Sequence, residues 1–377
     1  MKKKIKNVLL PIRTLIIKEI LAVWRDKKSR ITLVIPPLVQ LIILSHAATL
    51  DVNNISIGIF NQDSGWYSQE LTQRIKGSPY FKHVYEYKKP QSIRESIDKQ
   101  EVIVALQLQP NFSKLVAEGN TAPVQVILDG RKSNASQIVF GYLNLIFQSY
   151  NGDILRGRGV DVPEPISIQY RSFFNPNIEY IYFTVPSLVA ILSMILALMV
   201  TAMSVSRERE NGTFDQLLVS PLQPWQILVG KMMPAMVISI GETTLLMIVV
   251  LFLYDIPFKG SLILVYFSMI IFLFSIVGIG LFISSICKTQ QQSILGTFVF
   301  MTPTILLSGY ATPIENMPLW LQPVTNIFPI KHFFIIIRGI FLKDISTLEV
   351  LRYSWPMALI ALFTLASAGW MFKRRLE

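Results

Sequence analysis

The chain has 377 residues, 51% of them hydrophobic and only 16% charged, with a mean hydropathy of +0.46. That is too apolar for an ordinary soluble domain, where about 25% of residues are charged, and it points to an integral membrane protein. The net charge of +11 comes from 35 Lys and Arg against 24 Asp and Glu, but no basic run is interleaved with aromatics as a single-strand nucleic-acid binder requires.

Residues 1–30 contain LLPIRTLIIKEILAVWRDKKSR, which predicts an amphipathic helix on the inner membrane surface. Leu15, Ile16, Glu19, Ile20 and Val23 fall at helical spacing, with Trp24 beside a basic face. Apolar runs of about 20 residues, the length a span needs, follow at 31–50, 180–204, 232–254, 261–286, 294–311 and 353–372, so six spans are expected. Ten Lys or Arg precede the first and the next is Arg74, which predicts a cytoplasmic N-terminus. Six spans return the tail, residues 373–377 with Lys373, Arg374 and Arg375, to the same side. A cleavable signal over ITLVIPPLVQLIILSHAA is the rival reading, disfavoured by the long basic segment ahead of it.

Residues 51–178 are an island rich in Asn, Gln, Lys and Tyr, large enough for a domain. ISIGIF, EVIVALQL, VQVILD and PISIQYRSFF read as strands, while SQELTQRI, PQSIRESIDK and SNASQIVFGYLNLIFQSY read as helices. Its single possible staple is missing, because Cys287 is the only cysteine. The expected fold class is therefore an α-helical polytopic membrane protein with six transmembrane helices and an inserted α/β extracytoplasmic domain between the first two. Residues 179–372 then form a five-span domain with a cytoplasmic loop at 205–231. Pro313, Pro318, Pro323 and Pro329 break the apolar stretch after the fifth span, which predicts a re-entrant hairpin over about 308–338. An interfacial loop anchored by Trp320, Phe328 and His332 is the alternative.

No metalloprotease, paired-cysteine or nucleophile-elbow motif is present, and the histidines at 46, 83 and 332 are scattered. Gly230-Lys231 lacks the upstream glycine and the Ser or Thr of a phosphate loop, so the chain is not expected to bind ATP or to be an enzyme. Leu307-Ser308-Gly309 reads as small packing residues within a span. Glu242, in SIGETTLLM, is a candidate functional carboxylate at membrane depth. The other reading is an acid hydrogen-bonded to Ser239, Thr243 or Thr244 that packs spans together.

The loop RERENGTFDQLLVSPLQPWQILVGK (207–231) carries the sharpest signal. Asn211-Gly212 is a turn; Thr213 to Gln216 fits a capping box; Phe214, Leu217 and Leu218 form an apolar stripe with no membrane to enter; Pro224 opens the next helix. A helix of two turns is marginal alone, so another protein surface should hold it. This segment resembles the loop motif of ABC type-2 transporter permeases, and the layout of one span, a large external domain and five spans resembles their multidrug-export branch. ISSICKTQQQS and LLSGYATPIENMPLWLQPV also resemble family segments, so the likeness covers essentially the whole chain.

The resemblance implies a permease subunit of an exporter of amphipathic or drug-like molecules, in a bacterial inner membrane. It implies separate cytoplasmic ABC ATPase subunits, which hold the ATP and Mg, and a second permease copy or paralogue. In Gram-negative relatives it adds a periplasmic adaptor and an outer-membrane channel. Carried over by position, Gly212, Thr213, Phe214, Gln216, Leu217 and Leu218 form a coupling helix buttressed by Arg207, Glu208, Arg209 and Glu210. Pro313, Met317, Pro318 and Trp320 belong to the exit hairpin. Two other functions stay open: an ion-coupled secondary transporter using Glu242, and a membrane-anchored ligand sensor.

Overall fold

The computed structural model describes residues 2–47, 55–159, 174–175, 179–213 and 223–374. The chain divides into two compact units, one made of residues 1–49 and 171–377 and the other of residues 50–170. Because the basic N-terminal segment and the first apolar run differ in character, the chain breaks between them at Asp26: α1 covers Lys2–Arg25 and α2 covers Lys27–Ala47.

The inserted unit is α/β, as the alternation of its segments requires. In order it runs β1 Ile55–Asn61, α3 Trp66–Lys76, β2 Phe81–Glu86, α4 Pro90–Asp98, β3 Val104–Leu108, α5 Phe112–Glu118, β4 Val124–Leu128 and α6 Ser133–Gly157. The sheet order is β2-β1-β3-β4, with β1 parallel to β2 and β3 and β4 antiparallel to β3. The central strands β1 and β3 are buried on both faces, which is why they read as continuous apolar runs. Ile57, Ile59 and Leu106 pack against Leu71, Ile75 and Leu143 on one face, while Phe60 and Ala105 meet Ile93 on the other. Strand β2 was not anticipated: it is an edge strand in which only Phe81 is buried, so FKHVYE carries no apolar run. The strand expected over PISIQYRSFF lies, apart from Phe174, outside the described residues.

The other unit continues with α7 Tyr180–Glu210, α8 Pro224–Leu253, α9 Leu262–Ile286, α10 Gln290–Leu306, α11 Pro329–Lys343 and α12 Thr347–Arg374. Among the described residues, 5 helices are long and apolar enough to cross a membrane: α2, α7, α8, α9 and α12. The segment expected as the fifth of six spans forms α10, whose 17 residues amount to about 25 Å at 1.5 Å per residue, short of a hydrocarbon core of ~30 Å. It ends at Leu306, and shortly after it Gly309 takes a left-handed φ of +82° through which no α-helix continues. Leu307-Ser308-Gly309 thus lies at the exit from this helix.

Helix α7 is the hub, packing against α2, α8, α9, α10 and α11. Lipid supplies no hydrophobic drive for helices to associate, so close approach and interhelical hydrogen bonds must do it. A Cβ on Gly280 of α9 would collide with the Thr201 hydroxyl of α7, and one on Gly278 would collide with Thr364 of α12. Ser284 Oγ of α9 donates to the Ala202 carbonyl at 2.5 Å, and Ser275 Oγ donates to the Met357 carbonyl of α12 at 2.8 Å.

Candidate functional site

The RERE tetrad occupies the last turn of α7, and three of its four side chains reach other elements. Lys231, about two turns into α8, is almost wholly buried at 3% exposure. Its Nζ donates to Glu208 Oε1 at 2.5 Å and to Glu19 Oε1 of α1 at 2.6 Å. Arg209 Nη1 donates to the carbonyls of Ser285 and Cys287 at 3.1 and 2.9 Å, satisfying the C-terminal end of α9. Glu210 Oε2 accepts from the Gln290 backbone N–H at 2.9 Å, at the start of α10, where a negative charge suits the helix dipole. Arg207 is exposed. One turn of charged residues therefore joins the ends of α1, α7, α8, α9 and α10.

The backbone after the tetrad explains why Asn-Gly follows it. Gly212, with φ +68°, donates its N–H to the Arg209 carbonyl, and the Thr213 N–H reaches the Glu208 carbonyl at 2.9 Å. That pair of bonds is a Schellman ending, which needs a left-handed residue where Gly costs least. The Thr213 hydroxyl also donates back to the Glu208 carbonyl, at 3.3 Å. Phe214, Gln216, Leu217 and Leu218 lie outside the described residues. At the far side of the loop, α8 opens on Pro224 with a capping box: the Gln223 backbone N–H donates to Gln226 Oε1 at 2.8 Å.

Glu19, Gly230 and Lys231 were not picked out as site residues from the sequence. Gly230 lets α1 lie close, since a Cβ there would strike the Leu15 side chain. Ile12 and Leu15 are buried at 7% each, while Trp24 is 68% exposed. The Gly-Lys pair that closes the loop motif thus does two jobs: glycine admits the amphipathic helix and lysine pins it by charge.

The ABC-2 family transporter protein model matches residues 27–370. The chain belongs to this family. It is 46% identical over 362 residues to the Escherichia coli K12 protein named "Probable multidrug ABC transporter permease YbhR", covering 96% of this chain and 98% of that one. It is 29% identical over 382 residues to "Probable multidrug ABC transporter permease YbhS" of the same strain, covering 97% of each. "Inner membrane transport permease YhhJ", also from K12, is 30% identical over 273 residues, covering 71% of this chain and 70% of that one. As an ABC-2 permease, the chain is the membrane-spanning transport subunit of an ABC transporter and not itself an enzyme.

In this ABC-2 permease the other anticipated residues fall in two further places. Pro313, Met317, Pro318 and Trp320 lie in the irregular connection between α10 and α11, built on 3-10 turns at Ile314–Asn316 and Pro323–Ile327. Leu319 and Trp320 are 85% and 72% exposed, an apolar tip suited to an interface. Helix α11 is buried along most of its length and packs on α7, α9 and α12. Glu242 lies on α8, 7% exposed, and both its carboxylate oxygens are buried without a hydrogen-bond partner. The hydroxyls that could have bonded it are committed elsewhere: the one proton of Thr243 Oγ1 is within reach of the Ser239 carbonyl and Ser193 Oγ, and Thr244 Oγ1 donates to the Ile240 carbonyl. Ser239 Oγ is itself buried and unpartnered.

Proposed function

We propose that this permease, driven by separate cytoplasmic ABC ATPase subunits that hold the ATP and Mg, moves amphipathic or drug-like molecules out across a bacterial inner membrane. The carrying observation is the charged turn at the end of α7, where Glu208, Arg209 and Glu210 link helix ends around the loop at 205–231. A force applied to that loop reaches several helices at once, as a coupling site requires. The chain works with a second permease copy or paralogue. Relatives named as multidrug permeases support the substrate class. A periplasmic adaptor and an outer-membrane channel would carry substrate onward from the inserted domain.

In this reading six segments span the membrane, α10 with its following residues being the fifth, both termini are cytoplasmic, and residues 51–178 lie outside. The connection over about 308–338 forms the exit hairpin. Two cysteines test the sidedness: Glu95→Cys in α4 and Lys288→Cys between α9 and α10, both exposed positions, in a chain whose Cys287 is replaced by Ser. An impermeant thiol reagent added to intact spheroplasts should label the first and spare the second; the reverse pattern rejects the orientation. Affinity purification of the full chain should bring down an ABC ATPase, and its absence under mild detergent would reject the coupled mechanism.

Glu242 is assigned to the translocation path. A charge at membrane depth costs about 2.5 to 3.5 kcal/mol on insertion scales, and a side chain with two unmet acceptors stabilises nothing that an apolar residue would not stabilise better. Glu242→Gln should therefore leave assembly intact while changing transport and substrate-stimulated ATPase. Unchanged activity at several pH values would return Glu242 to a packing role.

A further inference from the structure

We infer that Arg338, with the aromatic rings of α7 and α11, forms a binding site for an oxyanion-bearing amphiphile inside the transmembrane unit. Arg338 is a cation within the apolar run HFFIIIRGIF of α11. Its guanidinium carbon lies 3.7 Å from the centroid of the Phe183 ring and 5.0 Å from that of Phe334. Nε donates to Ser187 Oγ of α7 at 2.8 Å, and Ser187 in turn donates to the Phe183 carbonyl at 2.6 Å. Tyr310 completes the cluster, parallel to Phe183 at 6.3 Å between centroids and tilted against Phe334 at 6.1 Å.

The orientation of the guanidinium is thus fixed by Nε and by rings, leaving the Nη edge without work. No carboxylate pairs with Arg338 among the described residues, and Nη2 is fully buried with no acceptor. An unpartnered buried donor on a charged group is among the costlier defects a fold can carry. The missing acceptor has a defined chemistry. A planar fork of N–H donors matches a carboxylate, phosphate or sulfonate oxygen pair, and aromatic walls match an apolar body next to it. Two sources present that chemistry: the phosphodiester of a membrane lipid, and a transported amphiphile with an acidic group.

The test uses the full chain with its co-purifying partners in dodecyl maltoside, stripped of lipid. The probe is dansyl-aminoundecanoic acid, with its uncharged methyl ester as control. The acid should bind more tightly than the ester by about tenfold, Arg338→Gln should remove that preference, and Arg338→Lys should keep part of it, since lysine retains the charge without the fork. Adding back phosphatidylglycerol should displace the acid if lipid is the resident; if it does not, the site belongs to a transported amphiphile. Equal binding of acid and ester by the parent chain overturns the inference, as does an undiminished preference in Arg338→Gln. Because no ATP is involved, a failure here leaves the coupling reading standing, and the reverse also holds. An Arg338→Gln chain that elutes and melts like the parent excludes misfolding as the cause of lost binding.

Discussion

Replacing Lys231 by Met should uncouple this permease more severely than any single change in the charged turn at the end of α7. Lys231 Nζ lies between Glu19 of α1 and Glu208 of α7, and its side chain is 2% exposed against 25% and 13% for the two acids. Glu208 Oε2 is already buried without a partner, so Oε1 has only the lysine to compensate it. Removing one member of a buried ionic cluster costs ~3 to 5 kcal/mol, because the charges left behind stay desolvated. Here the remainder is two carboxylates, which repel, so α1 should lift from α8 at Gly230. The expected result is a lower melting temperature of the purified chain and loss of most transport. The triple variant Glu19→Gln, Lys231→Met, Glu208→Gln removes the repulsion and should recover much of the stability. If it recovers stability but not transport, the cluster transmits force; if it recovers both, the cluster serves folding alone. No loss of stability or transport in Lys231→Met would show that the cluster does neither.

How much of this was legible in the sequence depends on the range of the interactions involved. The polytopic character, the α/β insert and the chain ends of most helices follow from local patterns: apolar run length, Pro224 at a helix start, Asn211-Gly212 at a helix end. Edge strand β2 escaped because an exposed strand has no run to read. Helix α10 came out shorter than its apolar segment because hydropathy continues through Gly309 while the backbone does not. The ionic cluster was half visible. Glu19 is the sole acid among residues 1–25, set among the apolar positions of a basic helix, and Lys231 and Glu242 are the sole charges in α8. An isolated charge on a buried face asks for a partner, but sequence cannot say that Glu19 and Glu208 answer Lys231 while nothing among the described residues answers Glu242. That distinction depends on which helices pack together, and α1 against α8 is a contact across some two hundred residues.

Phe214→Asp should abolish transport while the chain still inserts and its inserted domain still folds. Phe214, Leu217 and Leu218 are expected from their spacing in the sequence to share one apolar stripe. What precedes them is fixed: the Schellman ending at Gly212 and Thr213 closes α7 and turns the chain away from the helix axis. In the proposed coupling such a stripe would fill a groove on the ATPase subunit and gain about 1.5 to 3 kcal/mol per side chain, less the cost of ordering the complex. Aspartate at position 214 would bury an unpaired carboxylate there, so binding should fall by more than the lost contact alone accounts for. Thr213→Ala is the graded comparison. It removes the exposed hydroxyl bond to the Glu208 carbonyl but keeps the backbone bond to the same atom, so a loss of no more than about 0.5 to 1.5 kcal/mol and a milder transport defect are expected. ATPase co-purification and transport measured for both variants in the same membranes decide the matter. Normal assembly with Phe214→Asp would make the stretch a connector.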